Sequence, residues 1–184
     1  MEGYKPVGYS QTTLTELMVP SYSNFGGKIH GGVILSLMDK VAYVCAAKHA
    51  DAYCVTASID TVDFLASVQV GELVSLMASV NYVGKSSLVI GIKVVSENVK
   101  THLMKHTNTS YFTMVALDDV NQPLQVPGLV LENELEIRRF WQARQRRELK
   151  KNYKANEAQM KAALGHEDYL LQLKGERCYI SVRD

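Results

Sequence analysis

The most apolar stretch of the chain, residues 31–46, constrains the fold more than any other feature. Asp39 and Lys40 are its only charged residues. Apolar residues recur there at i, i+3, i+4 and i+7, which predicts a helix that buries one face. The buried face is expected to hold Ile34, Leu37, Met38, Val41, Ala42 and Cys45. Asp39 lies off that face beside Leu35 and Tyr43, so we expect the second face to be covered too, for example by another subunit.

Several other segments alternate apolar and polar residues, as strands with one buried face do. One precedes the helix and four follow it: 12–19, 53–64, 73–82, 87–98 and 105–117. The polar link Gly84-Lys85-Ser86 predicts a hairpin turn. The pattern therefore predicts an α+β fold with an antiparallel sheet. One helix cannot cover both faces of five strands, so we expect the other face to meet a partner chain or a trailing helix.

Composition changes sharply near Pro127-Gly128. Apolar and β-branched residues dominate before it, whereas residues 132–164 are highly charged. Glutamates come early in this charged segment and Arg and Lys later, an order that suits the dipole of a helix. We therefore expect a compact domain over residues 8–126. A C-terminal charged helical extension over 127–184 would pack against it at the start of its helix.

The charge of the chain argues against nucleic acid and membrane surfaces as general partners. Its formal net charge is +1, which gives no overall attraction to polyanions. Residues 134–154 carry eight cations against three acids. This basic run indicates a solvated helix face, with contact to nucleic acid as the alternative. No run of about 18 apolar residues predicts a membrane span.

Cysteine and histidine spacing predicts neither a disulfide framework nor a metal site. The residues concerned are Cys45, Cys54, Cys178, His30, His49, His102, His106 and His166. The start of the chain also lacks the basic-then-apolar pattern of a signal peptide. We therefore expect a reduced, cytoplasmic protein without a metal site.

Asp39 is the first candidate for chemistry. A carboxylate in an apolar helix is costly unless it has a partner or a task. Gly31 and Gly32 place bare backbone amides at the start of the same helix, where an oxygen that carries negative charge can bind. A base and an anion-stabilising helix end suit acyl transfer. The alternative is an aspartate satisfied by a local partner, with glycines that only shape the turn.

Residues 24–39, NFGGKIHGGVILSLMD, resemble the active-site segment of hotdog-fold acyl-CoA thioesterases. The nearest branch contains the cytosolic acyl-CoA hydrolases, including brain acyl-CoA hydrolase and the YciA-like bacterial enzymes. The resemblance continues through residues 55–60, 63–65, 70–72 and 83–87, and it ends near Pro127. It implies the hotdog fold, an antiparallel sheet wrapped around one long helix. It also implies a dimer whose sheets join, assembled further as a trimer of dimers.

The resemblance implies a role for each matching residue in the hydrolysis of fatty or short-chain acyl-CoA to free acid and coenzyme A. Asp39 would be general base or nucleophile, the amides of Gly31 and Gly32 would polarise the thioester carbonyl, and Asn24 would hold water or the carbonyl. The nucleotide end of coenzyme A would meet Gly84, Lys85, Ser86 and Ser87. A second subunit would contribute Ser58, Asp60 and Asp63. Coenzyme A enters as part of the substrate, and the family needs no cofactor.

Two other functions are compatible with the same residues. A non-catalytic acyl-CoA sensor would bind the substrate without hydrolysing it. A hotdog 3-hydroxyacyl dehydratase would need a histidine base paired with an acid, for which His30 and Asp39 are the candidates, although their spacing does not match that family. Lys28 also departs from the thioesterase pattern, because several relatives have a small polar residue there.

Overall fold

A computed structural model describes residues 3–163, 173, 175–179 and 181. The chain divides into two compact units, Met1–Ala143 and Arg144–Asp184. The strands are β1 (Tyr4–Pro6), β2 (Thr12–Leu17), β3 (Tyr53–Ile59), β4 (Glu72–Val83), β5 (Ser87–Asn98), β6 (Met104–Leu117) and β7 (Gly128–Val130). The helices are α1 (Val7–Ser10), α2 (Gly31–Ala50) and α3 (Glu134–Ala163), with a 3₁₀ turn at Pro20–Tyr22.

Five of the strands form one antiparallel sheet in the order β2-β4-β5-β6-β3. Helix α2 contacts all five strands. The five strands coincide with the five predicted segments to within two residues at each end, except that β3 ends at Ile59 rather than at Phe64. The α+β prediction of an antiparallel sheet wrapped around one long helix is therefore confirmed, and this is the hotdog fold.

The core lies between α2 and the sheet. All six residues of the predicted apolar face are at most 6% exposed: Ile34, Leu37, Met38, Val41, Ala42 and Cys45. They pack against the inward side chains of the central strands, among them Leu76, Ile90 and Phe112, which are fully buried. Burying side chains of this size contributes about 1.5–3 kcal/mol each, so this contact fixes the position of the helix.

The first turns of α3 cover part of the opposite face of the sheet, as the sequence predicts for a trailing helix. The helix begins behind Asn133, whose Oδ1 accepts a hydrogen bond from the amide of Glu136 at 3.0 Å. Phe140 then packs on Tyr82 of β4, with ring centroids 5.0 Å apart, and Ala143 is buried. Residue 164, where the predicted helix ends, and His166 lie outside the described residues.

Two short strands were not predicted, because a segment of three residues is too short to show an alternation of apolar and polar residues. β1 and β7 pair in parallel as a separate two-stranded sheet, with the ring of Tyr4 over Gly128. Lys5 of β1 reaches the end of α2, where its Nζ donates to the carbonyl of His49 at 2.9 Å and pairs with Asp51. The start of the chain thereby closes the C-terminal end of α2.

Among the described residues, no helix is long and apolar enough to cross a membrane. Cys45 and Cys54 are buried free thiols, and Cys178 is an exposed one. Burial raises the pKa of Cys45 to about 12 and that of Cys54 to about 11. Both buried thiols are therefore protonated at neutral pH and do not serve as nucleophiles.

Candidate active site

Asp39 has a partner that the sequence analysis did not identify. Thr56 Oγ1 of β3 donates a hydrogen bond to Asp39 Oδ1 at 2.6 Å, across the gap between helix and sheet. Thr56 Oγ1 also lies 3.3 Å from the sulfur of Met114. Asp39 is half-buried and Thr56 is exposed. One carboxylate oxygen is thus held by a hydroxyl, and the other accepts no hydrogen bond within the described residues.

Strand β3 is an edge of the sheet, so the pair lies beside an open strand. β3 pairs with β6 on one side, and in the described part of the chain no strand pairs with its other side. The register between β3 and β6 shifts between Thr56 and Ser58, which marks a bulge next to the pair. Bulges re-aim side chains and are frequent beside active sites.

The segment after β3 continues along β6 and carries two predicted site residues. The amide of Asp60 donates to the carbonyl of Tyr111 at 2.9 Å, and the carbonyl of Asp63 accepts from Asn108 Nδ2 at 2.8 Å. The amide of Leu65 donates to the carbonyl of Thr107 at 2.9 Å. Asp60 and Asp63 are therefore held at the rim of the sheet by backbone bonds.

The start of α2 has a histidine cap. His30 Nδ1 accepts a hydrogen bond from the amide of Gly32 at 2.9 Å, and the His30 carbonyl accepts from the amide of Val33 at the same distance. Because Nδ1 accepts, the ring proton lies on Nε2. The Gly31 amide has no hydrogen-bond partner among the described residues. Of the two predicted carbonyl donors, Gly31 is open and Gly32 is occupied.

An aromatic ring covers the open glycine. A Cβ built on Gly31 would lie 3.0 Å from Phe64 Cζ, so the ring rests against this backbone. Phe64 belongs to the segment that the backbone bonds hold to β6. A side chain at this position would force the ring or the helix start to shift, and glycine avoids this.

One chain does not bring the helix start and Asp39 together. Eight residues separate Gly31 from Asp39 along α2, which corresponds to about 12 Å at 1.5 Å per residue. A thioester carbonyl on the Gly31 amide would thus be too far from the Asp39 carboxylate of the same chain. The separation also keeps His30 and Asp39 apart, and the dehydratase pairing does not exist within a chain.

Asn24 lies in a tight loop before the helix. Its Oδ1 accepts from the amides of Gly26 and Lys28 at 2.9 and 3.2 Å, and the loop is closed by the bond from the Asn24 amide to the Lys28 carbonyl at 2.7 Å. The side-chain oxygen is therefore used inside the loop, and the exposed Nδ2 is left as a donor. Lys28 Nζ binds Gln69 Oε1 at 2.8 Å, a structural contact.

The predicted coenzyme A turn lies at the same end of the sheet as Thr56. Ser87 of β5 and Val55 of β3 both align with Val115 of β6. Two strand spacings of about 4.8 Å place their backbones about 10 Å apart. The turn is fastened by bonds to the carbonyls of Lys85 and Ser86 from the amides of Val126 and Ala116, both at 2.9 Å.

A cavity of about 530 Å³ lies on the far face of the sheet, between the sheet and α3. None of its lining residues belongs to α2 or β3. This cavity is therefore separate from the site at Asp39 and Thr56, and other residues must form the walls of that site. Among the described residues, no group of three His, Cys, Asp or Glu side chains could hold a metal ion.

Comparison with known proteins identifies relatives of this chain. Residues 26–102 match the family model of the Thioesterase superfamily. Protein VdlD of Helicobacter pylori is 44% identical over 74% of this chain and 78% of its own length. The uncharacterized acyl-CoA thioester hydrolase YkhA of Bacillus subtilis is 36% identical over 85% of this chain and 91% of its own.

Two solved structures share the fold over most of their length. An apo-hexameric acyl-CoA thioesterase is 38% identical, with a TM-score of 0.80 over 83% of this chain and 97% of its own. The acyl-CoA hydrolase of Staphylococcus aureus, in complex with butyryl coenzyme A, coenzyme A and coenzyme A disulfide, is 32% identical, with a TM-score of 0.78 over 85% and 96%.

The Staphylococcus aureus enzyme has also been solved with an asparagine, an aspartate and a threonine separately replaced by alanine. There the aspartate follows the asparagine by fifteen positions and the threonine follows the aspartate by seventeen. Asn24, Asp39 and Thr56 have the same separations here. From its fold and its relatives, the chain belongs to the hotdog-fold Thioesterase superfamily and, within it, to the acyl-CoA thioester hydrolases.

Proposed function

We propose that the protein hydrolyses acyl-CoA thioesters at a site shared by two copies of the chain. Asp39 and Thr56 of one copy face the helix start of the other. The 12 Å axial separation of Gly31 from Asp39 carries this proposal, because a carbonyl on the amide and a base on the carboxylate cannot serve one reacting carbon within a single chain.

The reaction follows from the chemistry of these groups. The Asp39 carboxylate takes a proton from water, and the water oxygen forms a bond to the thioester carbonyl carbon. The carbonyl oxygen becomes an oxyanion, which the Gly31 amide stabilises with the dipole of α2 behind it. Collapse of this intermediate breaks the C–S bond, and the proton on Asp39 passes to the departing thiolate of coenzyme A. Direct attack by the carboxylate is the alternative at the same residue.

Thr56 positions the base. Its hydroxyl holds one oxygen of Asp39 at 2.6 Å and leaves the other for water. The three alanine variants of the Staphylococcus aureus enzyme support roles for Asp39, Asn24 and Thr56, because the residue types and separations agree. Asn24 Nδ2 is a donor suited to hold water or the carbonyl.

The open edge of β3 is the surface at which we place the second copy. Unpaired edge strands invite pairing with another chain. Tyr53 and Ile59 of β3 are 57% and 38% exposed in the single chain. Joining two β3 edges would bring Ser58, Asp60 and Asp63 of one copy toward the other. The hexameric relative supports further assembly, which we propose as a trimer of dimers.

Coenzyme A would lie along the turn at residues 84–87. The Lys85 ammonium and the hydroxyls of Ser86 and Ser87 can bind phosphate oxygens, and Gly84 keeps the turn tight. The backbone of Ser87 in this turn is about 10 Å from that of Val55, which precedes Thr56 in β3. The long pantetheine arm can span this distance. The enzyme would work in the cytoplasm on fatty or short-chain acyl-CoA, with no cofactor besides the coenzyme A of its substrate.

The test measures free thiol released from acyl-CoA substrates ranging from acetyl to palmitoyl. Asp39→Asn should lower kcat by about 100-fold or more, because general-base catalysis contributes that much. Asp51→Asn at the other end of the same helix is the matched control and should retain activity. Thr56→Val should lower kcat by about tenfold, and Thr56→Ser should restore it. Full activity in Asp39→Asn would refute the assignment.

The other functions give different results in the same assay. A sensor would bind acyl-CoA without thiol release by the wild-type protein. A dehydratase would hydrate an enoyl-CoA and leave the thioester intact. Either result would overturn the proposed hydrolysis.

Mixed assemblies test the shared site. Asp39→Asn and Gly31→Val chains, each inactive alone, are coexpressed with different tags and purified through both tags. A mixed dimer holds one site with both defects and one with neither, so about half of the wild-type activity per dimer should return. No recovery in verified mixed assemblies would place each site within one chain.

A further inference from the structure

Both glycines at the start of α2 are covered by rings of their own chain. Phe64 lies against Gly31, and a Cβ built on Gly32 would lie 2.9 Å from His30 Nδ1. The two rings are held differently. Phe64 belongs to a segment fixed by bonds of Asp60, Asp63 and Leu65 to β6.

The His30 ring is held at the helix start by its own Nδ1. Within the described residues, the ring makes a single hydrogen bond, which it accepts from the Gly32 amide. His30 is exposed, whereas the backbone on either side is anchored by the bonds from the Ile29 amide to the Val68 carbonyl and from the His30 amide to the Tyr22 carbonyl. The ring can therefore turn into solvent about its side-chain bonds while the helix start stays in place.

The ring nitrogen occupies the position that a substrate oxygen would need. Donors of an oxyanion site lie 2.7–3.1 Å from the oxygen, and Nδ1 lies 2.9 Å from the Gly32 nitrogen. A neutral nitrogen is also a weaker partner for an N–H dipole than an oxygen that gains negative charge in the transition state.

We propose that His30 is a displaceable cap, whose Nδ1 is replaced on the Gly32 amide by the carbonyl oxygen of the thioester. The inference rests on the proposed function and deepens it. In the free enzyme the cap satisfies the Gly32 amide. In the transition state the amides of Gly31 and Gly32 both reach the oxyanion, and the His30 ring lies in solvent.

Displacement costs binding free energy and leaves the chemical step unchanged. Removing the cap should therefore tighten substrate binding. An N-cap contributes enough that its loss changes an equilibrium by about three- to tenfold. His30→Ala should lower the KM for a short acyl-CoA by about threefold, with kcat within twofold of the wild type. His30→Asn keeps an accepting oxygen, so its KM should match or exceed that of the wild type.

His102→Asn is the control, because His102 is an exposed histidine on the β5–β6 turn, where its positive φ suits asparagine. It should leave both constants unchanged. A large loss of kcat in His30→Ala with unchanged KM would give His30 a chemical role and overturn the proposal. Equal KM values in His30→Ala, His30→Asn and wild type would also overturn it.

Hydrogen–deuterium exchange tests the cap without turnover. A peptide that spans residues 29–34 should exchange faster at the Gly32 amide in His30→Ala than in wild type or His30→Asn. Equal exchange in all three proteins would remove the cap from which the proposal starts. A wild-type protein that releases no thiol would instead refute the proposed function, so the two failures are distinguishable.

Discussion

Helix α2 begins in an exposed glycine loop and ends beneath a second, two-stranded sheet. At its start the Gly31 amide has no partner among the described residues, and one histidine ring holds Gly32. At its end Lys5 Nζ binds the His49 carbonyl and pairs with Asp51, and His49 is fully buried. The dipole favours an anion at the first end and a cation at the second. The protein supplies its own cation at one end, and we propose that the substrate supplies the anion at the other.

The difference separates function from stability along one helix. The open start keeps donors that a substrate can use, at the cost of an incompletely capped helix. The closed end satisfies the carbonyls of Lys48 and His49 through Lys5 and fixes the helix against the domain. Changes at the start should therefore alter kcat or KM, and changes at the end should reduce stability.

Among the changes that compare the two ends of α2, Gly31→Ala is expected to have the largest effect. Gly31→Ala places a methyl group 3.0 Å from Phe64 Cζ, inside the ordinary contact distance, so the ring or the helix start must shift. Because small misplacements in an active site cost about 100-fold, we expect kcat/KM to fall by about that factor. The folded state should persist, as measured by circular dichroism.

Gly8→Ala is the control, since a Cβ there has no atom within 4 Å. Its activity should equal that of the wild type. Phe64→Ala should relieve the crowding, so Gly31→Ala/Phe64→Ala should be more active than Gly31→Ala. If the double variant loses the product of the two single losses, the two residues do not interact.

The start of α2 also shows which parts of a site can be predicted from sequence. The buried face of the helix repeats every 3.6 residues, a local pattern, and all of its predicted members are buried. Asp39 stood out because charge is rare in that stretch. Thr56 did not, because threonine is common in strands and its bond to Asp39 depends on how β3 packs across the helix.

Contacts between segments that are distant along the chain could not be predicted from the sequence either. β1 and β7 are three residues each and pair across most of the chain, so no local periodicity reveals them. The His30 cap was missed because serine, threonine, aspartate and asparagine are the usual N-caps. The walls contributed by a second copy depend on an interface that no local pattern encodes.

A moderate effect on stability is expected at the closed end. Lys5→Met removes an ion pair to Asp51 and a hydrogen bond to the His49 carbonyl. Asp51 is 65% exposed and solvent screens the pair, so we expect a loss of about 1 kcal/mol in the free energy of unfolding. Urea denaturation measures it, and kcat of the folded enzyme should not change.

Lys100→Met is the control, because Lys100 is exposed and no side-chain bond of it is found within the described residues. It should leave the urea midpoint in place. If Lys5→Met lowers kcat and leaves stability unaltered, then the closed end takes part in catalysis. The assignment of function to the start of α2 and of stability to its end would then be wrong.

The smallest effect is a dependence of stability on pH at His49. Burial lowers the pKa of His49, although its bond to the Pro127 carbonyl at 3.1 Å opposes the shift. The unfolded chain then binds the proton more readily than the folded one. The contribution of His49 to the free energy of unfolding is therefore complete above the pKa of about 6.5 that a histidine has in the unfolded chain. It falls as the pH drops below that value, by at most about 1.4 kcal/mol per pH unit, until the pKa of the folded state is reached.

His49→Gln should remove this part of the dependence. Urea midpoints of both proteins are measured at about pH 7.5 and 5.5, a range above the titration of ordinary carboxylates. The wild type should lose more stability than the variant between the two values, whatever the absolute stability of each. Equal losses of stability in wild type and His49→Gln would mean that His49 binds a proton as readily in the folded protein as in the unfolded chain. The end of α2 would then be as accessible to solvent as its start.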